Sequence, residues 1–379
     1  MKYFGKIFVF LVMAVICSPN IMAQDDVKSY YVSAKGNDDA NNGRSETSAF
    51  KTIKRAIEVA SQGAIKRITI IGTLSQTSEG GSSQDTVFLI AYNGKTELTI
   101  TGKDNSSGKE RAVLSAIGTN KRVIRNTGSG PVRFENIEIS GANTDGDGAG
   151  IYGGNYLTLG KGVVIKNNTT SMTGGGLFAG TAGCTCIIED GVTITQNTAS
   201  KGGGIYIPYS WNTLTIKGGV ITKNTATVAG GGIYYEDAYN TFTVENCVIS
   251  ENSAGSSGGG LYLEGKCSIT NITVLNNVAK EKGGGIYMGW GAGVTYSSAD
   301  GADVTIATCD FQGNKAQFGA GIYLAVGKCT LSSGSINSNA ANFVGGGVYV
   351  ATKTKFTPGD VVISGNRAAD GGEDIFEQD

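Results

Sequence analysis

The feature that most constrains this chain is a glycine cluster that recurs along most of its length. Clusters begin at Gly148, Gly174, Gly202, Gly230, Gly258, Gly283, Gly319 and Gly345, separated by 26, 28, 28, 28, 25, 36 and 26 residues. Each is followed by an aliphatic and an aromatic residue: Ile151-Tyr152, Leu177-Phe178, Ile205-Tyr206, Ile233-Tyr234, Leu261-Tyr262, Ile286-Tyr287, Ile322-Tyr323 and Val348-Tyr349. Self-similarity at such a period means stacked repeats, each touching only its neighbours. Three consecutive glycines are costly to order, so each recurrence must need the geometry they permit.

A second column lies late in each repeat. An apolar residue precedes an asparagine by three, giving Asn168, Asn197, Asn224, Asn252, Asn277, Asn314, Asn339 and Asn366. Between the two markers lie short β-rich pieces such as NTLTI and TFTVENCVI, bounded by Gly, Asn and Ser, with no helical period. Three short strands per repeat, no helix and turns rich in Gly and Asn describe one coil of a right-handed parallel β-helix. The fold class expected is therefore all-β, a pectate-lyase-like solenoid. Equivalent residues stack at about 4.8 Å, so eight coils make a rod of roughly 38 Å. Alternation along GIYI sends Ile205 inward, Tyr206 outward and Ile207 inward. The asparagines are expected at a turn, as a structural ladder bonding to one another and to backbone.

Residues upstream have a different texture. Phe50, Ile53, Ile57 and Ala60 fall at helical spacing, which predicts an amphipathic helix from about Ala49 to Ser61, plugging the open end of the solenoid. The pieces AIKRITIIGTL, DTVFLIAY, ELTITG and RFENIEISG read as less regular early coils. The first residues combine Lys2 and Lys6, an apolar run from Ile7 to Ile16 and a small-residue end, the pattern of a secretory signal, with the mature chain starting near Gln24. The division expected is a signal peptide at 1–23, an N-terminal cap at 24–64, irregular coils at 65–140 and regular coils at 141–379. No later segment is apolar for long enough to predict a transmembrane helix. At the far end, Glu373 and Asp374 put charge where they blunt the last strand edge.

Composition narrows the chemistry. The 379 residues hold no His, which excludes imidazole bases, His-dependent triads and His metal ligands. The whole chain has 31 basic and 32 acidic residues; without Lys2 and Lys6 of the leader, 29 basic residues face 32 acids, a net of -3. That balance argues against a nucleic-acid partner. Asp145 and Asp147, in NTDGDGAG, read as turn residues in preference to calcium ligands or catalytic acids. Glu189, Asp190, Glu236, Asp237, Glu245 and Glu251 read as solvated turn acids in different registers. No cofactor or metal set is expected.

The six cysteines beyond the leader read as buried free thiols. Cys247 and Cys309 share one register and Cys267 and Cys329 another, but each pair is two coils apart, about 9.6 Å. That exceeds the roughly 7 Å limit for a disulfide.

The paired Gly-Gly-small-Ile and aromatic-or-aliphatic-x-x-Asn elements resemble the polymorphic outer-membrane protein repeat family of bacterial surface proteins. The likeness spans about Ile139 to Phe376, with the second motif literal only at Phe311 to Asn314. It implies a parallel β-helix displayed on a bacterial surface or outer membrane, with adhesion as the usual role. The opening YYVSAKGNDDANNGRSETSAFKTIKRAI is similar to that of many secreted β-helix proteins, including polysaccharide lyases.

The candidate ligand surface is the aromatic column Tyr152, Phe178, Tyr206, Tyr234, Tyr262, Tyr287, Tyr323 and Tyr349. As an open strip of about 34 Å it suits a glycan or protein partner. As rings stacked on one another or lying under longer turns, it only stiffens the rod. Adhesion or ligand binding without catalysis is the reading preferred. The alternatives are a lyase or hydrolase acting on acidic glycans, which needs acids and Lys or Arg together on neighbouring coils, and a structural envelope protein with no specific ligand.

Overall fold

The computed structural model describes residues 29–76, 85–103, 111–180, 182–208, 211–236, 240–289, 302–352 and 354–379. The expected leader lies outside them, and no helix among them is long and apolar enough to cross a membrane.

The chain winds into a parallel β-solenoid whose strands fall into sheets of 21, 9 and 11 strands. One coil shows the plan. Ile205–Ile207 belongs to the 11-strand sheet, Thr213–Ile216 and Gly219–Thr222 to the 21-strand sheet, and Thr225–Ala229 to the 9-strand sheet. The regular coil therefore carries four strands where the repeat predicts three. The extra corner comes at Gly219, whose φ of 96° bends the long sheet within each turn. In the last coils this corner is smoothed into single strands, Gly327–Asn337 and Lys355–Ser364.

Coils meet in register, as Ile205 with Ile233 and Tyr206 with Tyr234, with one shift in the 9-strand sheet between Ala199 and Lys201. The first glycine of each cluster is left-handed, Gly202 at φ 61° and Gly230 at 67°. The second and third are required for a different reason. A Cβ on Gly203 would lie 2.5 Å from the carbonyl oxygen of Thr225, and one on Gly204 2.6 Å from that of Gly232. Neighbouring coils approach too closely there for any side chain.

Alternation works as expected. Ile205, Ile207, Leu214, Ile216 and Ile221 join one continuous core running the length of the rod, whereas Tyr206 belongs to a separate cluster outside the coil. The helix is Ile53–Gln62, shorter at its start than predicted. Thr52 is its N-cap, its hydroxyl accepting from the Arg55 N–H at 3.1 Å. Phe50 instead bridges Val32 as extended backbone. Ile53, Ala56, Ile57 and Ala60 are buried against the first coils, which closes that end of the core.

Candidate functional site

The asparagine column lies at the corner between the 21-strand and 9-strand sheets. The residue before each asparagine is left-handed: Asn167, Gln196, Lys223, Glu251, Asn276, Gly313, Ser338 and Gly365. That turn aims the asparagine inward, and Asn168, Asn197, Asn224, Asn252, Asn277, Asn314, Asn339 and Asn366 are all buried. Within the column each donates its backbone N–H and its side-chain amide to the carboxamide oxygen of the next. Asn224 donates to Asn252 at 3.0 Å in both bonds, and its Nδ2 also reaches the Ile194 carbonyl at 2.9 Å. The chain of amides ends on a charge, because Asp374 Oδ1 accepts from Asn366 N at 3.2 Å and Nδ2 at 2.8 Å. Aligned hydrogen bonds of this kind polarise one another, and a carboxylate is a fitting final acceptor. Asp374 thus does more than blunt an edge.

The aromatic column stacks from Tyr152 through Phe178, Tyr206, Tyr234, Tyr262, Tyr287, Tyr323 and Tyr349 to Phe376, with centroids 4.5 to 5.6 Å apart. It is not an open strip. From Phe178 to Tyr349 the residues are 2 to 8% exposed, and the two end rings, Tyr152 and Phe376, are half-buried. Two physical causes act together. Each ring covers the faces of its neighbours, and Ala229, Phe318, Ala325, Val344 and Ala351 pack against the stack. Its first ring meets the guanidiniums of Arg122 at 5.0 Å and Arg125 at 5.5 Å.

Charge gathers at the middle of this ladder. Tyr234 donates to Glu264 Oε1 at 2.7 Å, and Tyr206 is hydrogen-bonded to Glu236. Lys201 Nζ lies 4.7 Å from the Tyr234 ring centre and 3.9 Å from Glu236. Glu236 and Glu264 follow the paired residues Tyr235 and Leu263, so they occupy one column on adjacent coils. Burial first, and these carboxylates second, push the phenols of Tyr206 and Tyr234 far above their ordinary range.

A second charged region lies near the N-terminal end, on the outer face of the long sheet. Arg133 sits between Glu135, at 2.6 Å, and Glu189, which it grips with both terminal nitrogens. Its bonds hold the Glu189 carboxyl below the usual range. Arg67 reaches Glu135 at 3.3 Å, and Lys103 reaches Glu46 of the cap at 2.7 Å. Arg67, Lys103 and Lys161 line a groove of about 680 Å³ together with Tyr31, Thr69, Thr101, Glu46 and Glu135.

A family model described as a right handed beta helix region matches residues 90–324, more than half of the 379-residue chain. The chain belongs to the right-handed β-helix family. No curated protein and no solved structure matches it. The match carries the β-helix part of the resemblance drawn from the repeats, and it does not extend to the surface-protein repeat family.

Within this β-helix the acids differ from expectation in one respect. Glu189, Lys217 and Glu245 share a single column, since Ile188, Ile216 and Val244 are register partners. They stack with alternating sign, where different registers were expected. Asp145 and Asp147 serve turns, accepting from Ser171 at 3.2 Å and from Thr173 at 2.6 Å on the next coil. The six cysteines are free and buried. Burial pushes the Cys184, Cys247 and Cys329 thiols up to about 12 and Cys309 to about 11. The groove escaped the sequence reading because its residues come from Tyr31 to Lys161 at no fixed spacing. A shorter asparagine ladder was also missed: Asn212 accepts from the Cys184 N–H at 3.0 Å and donates its N–H to Asn240 at 2.6 Å. The step of 28 residues between Asn212 and Asn240 was its only signal.

Proposed function

We propose that this β-helix is a secreted or envelope-displayed scaffold that binds an extended glycan along the outer face of its long sheet. The observation that carries the reading is a rank of hydroxyls on six successive coils: Thr215, Thr243, Ser268, Thr305, Thr330 and Thr357, each the register partner of the next. The last four are exposed. Each hydroxyl both donates and accepts, and the spacing of about 4.8 Å repeats without interruption, which suits a polymer of neutral sugars. The two internal ladders support the reading by fixing this face in advance, which lowers the ordering cost of binding.

The test is a glycan binding screen repeated with Ser268→Lys and Thr305→Lys. Binding that falls in both variants supports the rank as the contact surface, and unchanged binding ends that reading. The leader at 1–23 belongs to the same proposal, and mass spectrometry of the exported protein should find a mature terminus near Gln24.

A second reading, bond cleavage in a glycan, is favoured by Glu236, Glu264 and Lys201 meeting on neighbouring coils. Paired carboxylates are what glycoside hydrolysis requires. Release of reducing ends that Glu236→Gln abolishes would support it.

A further inference from the structure

The long sheet bends at the Gly219 corner, and the limbs on either side of it carry different surfaces. On the limb that holds the hydroxyl rank, Glu189, Lys217, Glu245, Asp303, Lys328 and Lys355 stand on the outer face. The other limb points two residues outward on each of seven coils, from Thr193 and Thr195 to Val362 and Ser364, and Asp310 is the only charge among them. Near the middle of that limb lies an apolar patch. Val220 and Val248 are register partners, and Leu275 pairs with Ser250 on the next coil. Val248 is 38% exposed. The hydroxyls beside the patch, Thr222 and Ser250, are bonded to each other at 3.0 Å and so do not call for a ligand. An exposed apolar patch on a face nearly free of charge has the composition of an interface core.

The rim decides what covers it. Lys223 and Glu251 follow Thr222 and Ser250 at the corner, on adjacent coils, and both are exposed. Consider a two-fold axis lying along the strands, between the coils of Val220 and Val248, as in an isologous dimer. The rods then run antiparallel, with their strands aligned to within about 30°, as in packed sheets. Val220 covers Val248 of the second copy, Thr193 covers its Thr273, and Lys223 meets its Glu251. Symmetry repeats each of these contacts. Asp310, which accepts from Ser335 at 2.7 Å, comes over the coil that carries Lys166 of the second copy. With the rods parallel, each coil would face itself and the Lys223 and Glu251 rims would lie on opposite edges, unmatched. Apolar on apolar and opposite charge on opposite charge, in one register, single out a second copy of this chain as the occupant.

From this self-complementarity we propose that the chain associates with itself through the uncharged limb of its long sheet, as a weak antiparallel dimer. Six coils at about 4.8 Å, with strands about 12 Å long, give a contact plane of roughly 350 Å² on each copy. That places the pair at the small end of specific interfaces, where association is transient and concentration-dependent. The hydroxyl rank lies on the other limb, so the proposal stands apart from the glycan reading.

Sedimentation velocity of the purified chain from about 1 µM to about 500 µM tests it. The account predicts a shift from monomer to dimer as concentration rises. Val248→Lys places an unpaired ammonium in the seam and should weaken the dimer by about tenfold or more. Val278→Lys, at a valine of similar exposure on the 9-strand sheet, should leave it unchanged. Lys223→Glu sets like charges together and should also weaken it, and combining Lys223→Glu with Glu251→Lys should restore it. Circular dichroism checks that each variant folds, and the exposed charge pair carries the test should Val248→Lys fail to. A chain that stays monomeric throughout leaves the face to another partner and overturns the proposal. Equal losses from Val248→Lys and Val278→Lys, or a double swap that does not restore the dimer, would overturn it too.

Discussion

At the corner before each column asparagine the backbone turns left-handed whatever residue the chain supplies. Glycine stands there at Gly313 and Gly365, but Lys223, Glu251 and Ser338 adopt φ between 53° and 57°. Each of these L-residues stores roughly 1–2 kcal/mol of strain. Lys223→Gly should therefore stabilise the protein by about 1 kcal/mol, read as a shift in denaturant midpoint. An unchanged or lower midpoint would show the corner to be unstrained. Asn252→Ala should do the opposite. It strips the acceptor from both donors of Asn224, and leaving buried donors unmet costs about 1–3 kcal/mol. The asparagines were legible because their identity and their offset from an apolar residue both repeat. The left-handed residue was not, since six different residue types occupy it and only its geometry recurs.

At the scale of the element, the aromatic ladder shows where period-two alternation stops being informative. Alternation places Tyr206 outside the coil, and that is where it lies. Whether an outside residue is open depends on Phe318, Val344 and Ala351, which come from the turns and carry no repeat signal of their own. The ladder should behave as a second core. Tyr262→Ala is expected to cost about 3–5 kcal/mol, as for other buried aromatics, whereas Tyr262→Phe keeps the stack and should cost far less. Equal small losses in both variants would mean that the stack contributes nothing. The thiols give a parallel case in which register alone sufficed. Cys267 pairs with Val304, and Val304 with Cys329, so the two sulfurs are two coils apart as predicted. A thiol reagent should find none of these six groups in the native protein and all of them after denaturation. Prompt reaction of the native protein would contradict their burial.

At the scale of the whole molecule, three columns with different chemistry run parallel to the rod axis: core aliphatics, buried amides and covered rings. The charged groove belongs to none of them. Its residues run from Tyr31 to Gly162; Tyr31, Thr69, Thr101 and Glu135 are register partners on successive strands, but these early coils lack the glycine and asparagine markers, which is why no motif announced them. The central claim is that the tyrosines hold the rod together while recognition belongs to the sheet face, and alkaline titration tests it most directly. Burial raises the phenols of Tyr206, Tyr234, Tyr262, Tyr287 and Tyr323 in the folded state, whereas unfolded tyrosine ionises near pH 10. Above about pH 10 the unfolded chain loses protons that the native chain keeps, so stability should hold below that pH and fall steadily above it. Phenolate absorbance from the ladder should therefore rise only together with loss of the β-sheet circular dichroism signal. Ionisation of these tyrosines near pH 10 with the fold intact would show the ladder open to solvent and contradict the account.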